Sequence, residues 1–365
     1  FWLLFQEWFE FSTPWAKENQ METGDYFVIA MFLTFVGFLF TGFPVAWVLG
    51  GVAVLYTLIA TISDTWFGTM IGLDYITLGM AVNRVFKYMD NWVLVALPMF
   101  IFMGLMLDKS GIAEKMMESM QELFGKVHGG LAVTVTLIGI VLAASTGIIG
   151  ASVVLLGLLS LPAMIKQGYS KTLALGTIAS AGTLGILIPP SIMLVIMADQ
   201  LGLSVGDLFM GAVIPGMLLG VLYILYILIF SYLKPDSAPI SEDRRPIEWR
   251  MIFDVFKTIL PPVILIIAVL GSIFAGITTP TEASGVGALG ATILAAYNKR
   301  LNFVVIVDVM KSCFNTTAYI FAIFLGATTF ALVLRCLGGD EFIERILTGI
   351  PFGPYGILIV ILGCV

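Results

Sequence analysis

One histidine, His128, and three cysteines, Cys313, Cys336 and Cys364, are all the imidazole and thiol groups that 365 residues offer. A single imidazole builds neither a His-rich zinc site nor a paired haem-ligand site. His128 sits in a polar-flanked turn, where an interfacial loop histidine is expected. The cysteines show no C-x-x-C spacing and lie in apolar segments, so buried free thiols are expected, not a disulfide frame or a metal centre. No nucleophile elbow, Walker loop or dinucleotide fingerprint occurs. The chain is therefore read as no enzyme and no ATPase, and any pumping draws on an ion gradient or a partner. Charge is scarce as well. Asp, Glu, Lys and Arg make up 12% of the residues, against about a quarter in a soluble domain. With a net charge of −6, a pI near 4.9 and no basic stripe, nucleic-acid binding is excluded.

What is abundant is apolar. The hydrophobic fraction is 59% and the mean hydropathy +1.03, more than a soluble globule can cover. The class is an all-α polytopic membrane protein. Runs near the ~20 residues needed to cross a ~30 Å core fall at about 25–41, 44–62, 91–107, 208–232, 259–276, 281–297 and 312–337. Residues 1–23 mix Phe1, Trp2, Phe5, Trp8, Phe9, Phe11 and Trp15 with Gln6, Glu7, Glu10 and Lys17. Such a segment either lies in the headgroup zone or ends an upstream span. It lacks the basic start and small-residue cleavage site of a signal peptide.

Two stretches break the pattern. Residues 129–165 are interrupted midway by Ser145-Thr146-Gly147-Ile148-Ile149-Gly150-Ala151-Ser152, which predicts a hairpin. Residues 171–198 contain Gly182-Thr183-Leu184-Gly185-Ile186-Leu187-Ile188-Pro189-Pro190-Ser191, a broken helix, because a double proline removes two backbone donors and clashes with the preceding turn. With the N-terminus outside and both hairpin ends inside, only Lys17, Arg84, Lys87, Arg335 and Arg345 are external; the other thirteen of the 18 Lys and Arg face the cytoplasm, as the positive-inside rule requires. A hairpin that enters and returns and one that crosses twice give the same count.

The polar linker at 233–258 divides two related halves, 24–232 and 259–365. Gly42-Phe43-Pro44-Val45-Ala46 in the first corresponds to Thr278-Thr279-Pro280-Thr281-Glu282-Ala283 in the second. The span ending Leu107-Asp108-Lys109-Ser110-Gly111, with Glu114-Lys115 after it, corresponds to Leu337-Gly338-Gly339-Asp340 with Glu344-Arg345. The halves enter with opposite orientation, which makes an inverted repeat of the kind found in secondary transporters. By that repeat the apolar run from Tyr355 to Val365 is the first arm of a second hairpin, so the second half is expected to be incomplete.

Non-helical backbone at mid-membrane depth is where transporters bind ions. The hairpin tip offers Ser145, Thr146, Gly147, Gly150 and Ser152; the broken helix offers Thr183, Gly185, Pro189, Pro190 and Ser191. Hydroxyls and bare carbonyls are hard oxygen ligands suited to a small alkali cation, and neither break holds a carboxylate for a proton relay. This favours Na⁺ over H⁺ as the coupling ion. Thr146 and Ser191 are candidate substrate contacts. Gly157, Gly176, Gly285 and Gly287 read as close-packing positions, and Thr279-Pro280-Thr281-Glu282 as a capping box.

The runs Ala144–Ser152, Gly182–Ser191 and Thr279–Ala283, in this order and spacing, are similar to the large membrane subunit of tripartite ATP-independent periplasmic (TRAP) transporters over about residues 24–365. The resemblance implies an elevator-type fold of the ion-transporter superfamily, with re-entrant hairpins and broken helices, in a bacterial or archaeal cytoplasmic membrane. It implies Na⁺-driven uptake of an organic acid delivered by an extracytoplasmic solute-binding protein, with a small four-helix membrane subunit bracing the scaffold. By motif, the first Na⁺ site falls on Ser145, Gly147, Gly150 and Ser152, faced by Thr183, Gly185 and Pro189. Ile186 departs from the pattern, standing where close relatives are expected to carry a polar residue. The rival readings are a non-transporting scaffold or channel subunit, which predicts unbroken helices, and a Na⁺/H⁺ antiporter of related fold.

Overall fold

The computed structural model describes residues 23–69, 71–124, 127–147, 149–240, 249–348 and 353–364. Most of the segment 1–23, and part of the linker (241–248), lie outside these. The described residues are helical and contain no strand. In chain order the helices are α1 Thr23–Leu39, α2 Val45–Phe67, α3 Tyr75–Met89, α4 Ala96–Lys109, α5 Ile112–Phe124, α6 Gly130–Thr146, α7 Ile149–Lys166, α8 Lys171–Leu187, α9 Ile192–Leu201, α10 Val205–Leu233, α11 Trp249–Phe274, α12 Pro280–Tyr297, α13 Phe303–Cys336, α14 Gly339–Thr348 and α15 Gly353–Cys364. A 3₁₀ turn, Trp92–Val95, leads into α4. Five segments are long and apolar enough to cross a bilayer, and the pair α8–α9, bent by 40°, makes a sixth. This is a polytopic membrane protein.

The described residues up to Asp90 and from Ala318 onward form one compact unit, and Asn91–Thr317 the other. In the first, Val28, Met31, Val48, Val52, Ala53, Tyr56, Val333 and Leu337 build the core. Gly24 and Gly326 let backbones approach: a Cβ at either would fall within 2.7 Å of a carbonyl oxygen, Leu337 O or Ala46 O. Arg345 of α14 donates to the Asp25 carboxylate of α1 at 2.6 Å, with Asp25 almost fully buried.

Helix α3 has no counterpart among the spans read from hydropathy. Its apolar residues face one side of a short helix that carries Arg84 and Lys87, so no window over it is apolar enough. Local chemistry starts it. The Asp64 carboxylate accepts from Thr69 Oγ1 and from Ile71 and Gly72 N–H. Asp74 then caps the helix, accepting from Thr77 N at 2.7 Å and Thr77 Oγ1 at 2.8 Å. These bonds, the Thr77 N–H first, hold the Asp74 carboxyl below the usual carboxylate range. Tyr88 at its end stacks on Phe324 at 5.5 Å.

In the second unit α4 lies along α12. Gly287 permits it: a Cβ there would meet Met103 Sδ at 2.5 Å. Of the other glycines read as packing positions, Gly157 has Ile178 at 3.9 Å and Gly176 and Gly285 face open space. The capping box of α12 forms as its sequence indicates. Glu282 Oε2 accepts from Thr279 N at 2.8 Å, and Thr279 Oγ1 accepts from Glu282 N at 3.3 Å. At the opposite end of this pair, Lys109 meets Asp308 at 2.9 Å, Arg300 meets Glu114 at 3.0 Å and Lys115 donates to Asn298 at 2.7 Å. These side chains are about half exposed, and such pairs contribute ~1 kcal/mol or less each. Helix α11 begins at Trp249, inside the stretch read as linker, because Trp249-Arg250-Met251-Ile252-Phe253 is amphipathic and continues in register into the apolar span.

Candidate functional site

Helices α6 and α7 fold back on each other. The bend is at Gly147, whose φ of +60° is the left-handed conformation that glycine adopts without steric cost. Residues on either side of the bend reach the same level of α8. A Cβ on Gly139 would lie 2.7 Å from the Ala181 Cβ, and one on Gly182 would strike the Val153 side chain. The open ends also meet. Leu131 N, near the start of α6, donates to the Tyr169 hydroxyl, just past α7, at 3.2 Å. Burial raises the Tyr169 hydroxyl above its usual pKa, which keeps it neutral. His128 Nδ1 lies 3.3 Å from Ala238 O, and Ser170 N donates to Ser237 O. All of these ends sit beside Lys166, Lys171 and Lys234.

The tip meets the second half of the broken helix. A Cβ on Gly147 would lie 3.1 Å from Ile192 N, the first residue of α9. Beyond that level α9 continues for 10 residues, about 15 Å at the helical rise. The tip of the hairpin thus meets the chain just after the Pro-Pro break.

The break follows from its prolines. Pro189 and Pro190 occupy the positions whose N–H would bond to the carbonyls of Gly185 and Ile186. Ser191 supplies one replacement, its Oγ donating to Ile186 O at 2.7 Å. Its hydroxyl therefore does not cap α9, although Ser191 holds the N-cap position. Thr183 Oγ1 likewise donates to Ser180 O at 2.7 Å. A hydroxyl that gives its hydrogen to a carbonyl keeps its lone pairs as acceptors, the property a cation ligand needs.

The structure brings Gly147 to Ile192 at the start of α9, next in the chain to Ser191, and Gly185, Pro189 and Pro190 of the break are buried. Ser152 and Ser191 are 1% and 0% exposed. Gly150 is exposed, with open space around it. The side chains of Ser145 and Thr146 lie outside the described residues. Among the described residues no three His, Cys, Asp or Glu side chains converge, so the polar character of the meeting point is hydroxyl and carbonyl oxygen. Cys313 and Cys336 are free thiols, the first buried.

Two features escaped the sequence reading. Helix α10 backs the break through Gly216 and Gly220: a Cβ on the first would lie 3.2 Å from Leu187 O, and on the second 2.9 Å from Ile140 Cδ1. The Gly-x-x-x-Gly spacing of these two residues was the available signal. The other is Asp108, near the C-terminal end of α4, whose Oδ1 is buried without a hydrogen-bond partner. Lys109 and Ser110 beside it disguise it as an exposed helix end.

An all-α polytopic membrane protein in which a helical hairpin meets a broken helix has an architecture that membrane transport proteins use. Residues 32–365 match the family model described as the tripartite ATP-independent periplasmic transporter, DctM component, and the chain belongs to that family. It is 31% identical over 277 residues to the C4-dicarboxylate TRAP transporter large permease protein DctM of Vibrio cholerae, covering 74% of this chain and 56% of that protein. It is 30% identical over 279 residues to the protein of the same description from Pseudomonas aeruginosa, covering 76% and 64%. The ectoine TRAP transporter large permease protein TeaC of Halomonas elongata is 28% identical over 337 residues, covering 91% and 74%. The chain spans little more than half the length of the first of these relatives. Its relatives are transporter permeases, not enzymes.

Proposed function

We propose that this chain is the greater part of a Na⁺-coupled importer of an organic acid, acting in a bacterial or archaeal cytoplasmic membrane. An extracytoplasmic solute-binding protein delivers the substrate, and a small four-helix membrane subunit braces the static part. The carrying observation is the meeting of Gly147 with the start of α9, next to the buried Ser191. Hydroxyl and carbonyl oxygens at two helix breaks suit Na⁺, and the N-terminus of α9 favours an anionic group on the substrate. Gly185 and Pro189 supply the carbonyl wall, Thr183 and Ser152 the flanking hydroxyls, and the tip residues Ser145, Thr146 and Gly150 complete the loop. Each charge moved down 100 mV provides ~2.3 kcal/mol, so Na⁺ in excess of the substrate's negative charge gives electrogenic accumulation. The block α6–α10 carries the site across the membrane in an elevator movement. Relatives named for C4-dicarboxylates and ectoine support a small organic acid as the substrate.

The test is uptake into proteoliposomes by the full-length subunit with its partners, using a C4-dicarboxylate first. Uptake is expected to stop when K⁺ replaces Na⁺ and when the binding protein is left out. Ser152→Ala is expected to raise the Na⁺ concentration for half-maximal uptake by about tenfold, the worth of one hydrogen-bonding or ligating oxygen at ~1.4 kcal/mol. Uptake that ignores Na⁺ and instead follows a pH gradient, and that is lost in Asp108→Asn, would move the coupling to a proton on Asp108.

A further inference from the structure

At the end of the second unit opposite the α12 capping box, α5, α11 and α12 enclose a cavity of about 740 Å³. That is the size of a small-molecule site. One face of each helix lines it: Ile112, Lys115 and Ser119 from α5, Met251, Asp254, Lys257 and Pro261 from α11, and Ile293, Tyr297 and Asn298 from α12. Its polar members include two ammonium groups, Lys115 and Lys257, and two carboxylates, Glu118 and Asp254. Lys115 is oriented by Asn298 Oδ1. No hydrogen bond or ion pair engages the side chains of Lys257, Glu118 or Asp254 among the described residues.

Depth and layering identify the ligand. The apolar span of α11 begins at Met251, and Trp249 and Phe253 stand 85% and 69% exposed on its outer surface. Exposed aromatic side chains at a span's end mark the headgroup zone. The charged residues lie within the first two turns of that span, and Pro261 and Ile293 form an apolar floor deeper in. A charged rim over an apolar floor, opening at headgroup depth, matches a lipid and not a wholly water-soluble ion. Two cations and two anions match a headgroup that itself carries both signs. We propose that this cavity holds one phospholipid of the inner leaflet with a phosphoethanolamine headgroup. Lys115 and Lys257 bind the phosphate, and Glu118 and Asp254 accept hydrogen bonds from the primary ammonium. Only the assignment to the inner leaflet rests on the orientation read from the basic residues. Because α5 leads directly into α6, the bound lipid braces the helix from which the hairpin hangs.

The test is native mass spectrometry of the delipidated full-length subunit in detergent, with phosphatidylethanolamine, phosphatidylcholine or phosphatidylglycerol added back. One phosphatidylethanolamine is expected to be retained, about tenfold more tightly than phosphatidylcholine, whose quaternary ammonium has no hydrogen to donate. Lys257→Gln and Asp254→Asn, both at exposed positions, are each expected to weaken retention about tenfold while elution profile and helicity stay unchanged. Ser119→Trp, which fills the cavity without altering its charge, is expected to abolish it. Equal retention of the three lipids, or wild-type retention in Lys257→Gln and Asp254→Asn, overturns the proposal. Displacement of the lipid by an equal concentration of soluble glycerophosphoethanolamine also overturns it, since the site would then read the headgroup alone.

Discussion

Replacing Gly139 by alanine tests whether the hairpin is held to the broken helix by close approach of backbones. The new Cβ would start 2.7 Å from the Ala181 Cβ, 3.2 Å from Ala181 O and 3.3 Å from its carbonyl carbon. Two methyl carbons need ~3.7 Å, so α6 and α8 must part by about 1 Å. Ala181 has no rotamer to change, and the strain falls on the backbone. Overpacking of this kind costs about 1–3 kcal/mol, while the gain in helix propensity from Gly to Ala returns ~1 kcal/mol. The single substitution should therefore destabilise by about 0–2 kcal/mol. Ala181→Gly loses ~1 kcal/mol of propensity and opens the same space. The double variant moves one methyl from one helix to its neighbour and should recover, with a coupling energy of about 1–3 kcal/mol. The assay is reversible unfolding in mixed micelles with increasing SDS, run on all four members of the cycle. Additive effects, within about 0.5 kcal/mol, would refute the idea that these two positions set the spacing of the two helices.

Two further outcomes follow from the first unit. Arg345→Gln removes the cationic partner of the buried Asp25 carboxylate and should cost about 3 kcal/mol, the low end for a broken buried pair because the arginine is itself 35% exposed; Asp25→Asn in that background should restore most of it, and a double variant no more stable than the single one would count against the pairing. The Asp74 cap of α3 should be pH-sensitive. Its folded pKa lies below the unfolded value of 3.8, so its stabilisation is complete above that value and is lost as pH falls through the folded pKa. Amide exchange in the first turn of α3, taken relative to its intrinsic rate at each pH, should quicken in acid in the wild type. It should stay level in Asp74→Asn, where the cap does not titrate; identical acid profiles in the two would exclude the carboxylate as the cap.

The breaks were legible in the sequence because glycine and proline act locally. Pro189-Pro190 forbids the helix whatever surrounds it, and the structure ends α8 at Leu187 and resumes at Ile192. Thr279-Pro280-Thr281-Glu282 carries its whole capping geometry within four residues. What the charge count could not decide was depth. A hairpin that turns back and one that crosses leave the same charges on the same side; the Gly-Ser interruption favours the first, and the structure adds the contact of Gly147 with Ile192. Helix α3 was missed because hydropathy rewards uniformly apolar stretches, and an amphipathic helix averages to a modest value. Asp108 was missed because burial at a helix end depends on what packs over it, which neighbouring residues in the chain do not reveal.

Helix α13 is 34 residues long, about 51 Å, well beyond the ~30 Å of hydrocarbon it has to cross. Between Lys311 and Arg335 it carries no charged residue, and that neutral stretch measures ~36 Å. Its two ends are moored, by Asp308 to Lys109 and by Arg335 to Asp340. The helix is thus a gauge with graduations at both water surfaces. A bilayer of ordinary thickness is matched by a modest lean or by snorkelling of the two basic side chains. A markedly thinner bilayer leaves no such margin: either the lean grows or one of the moorings parts.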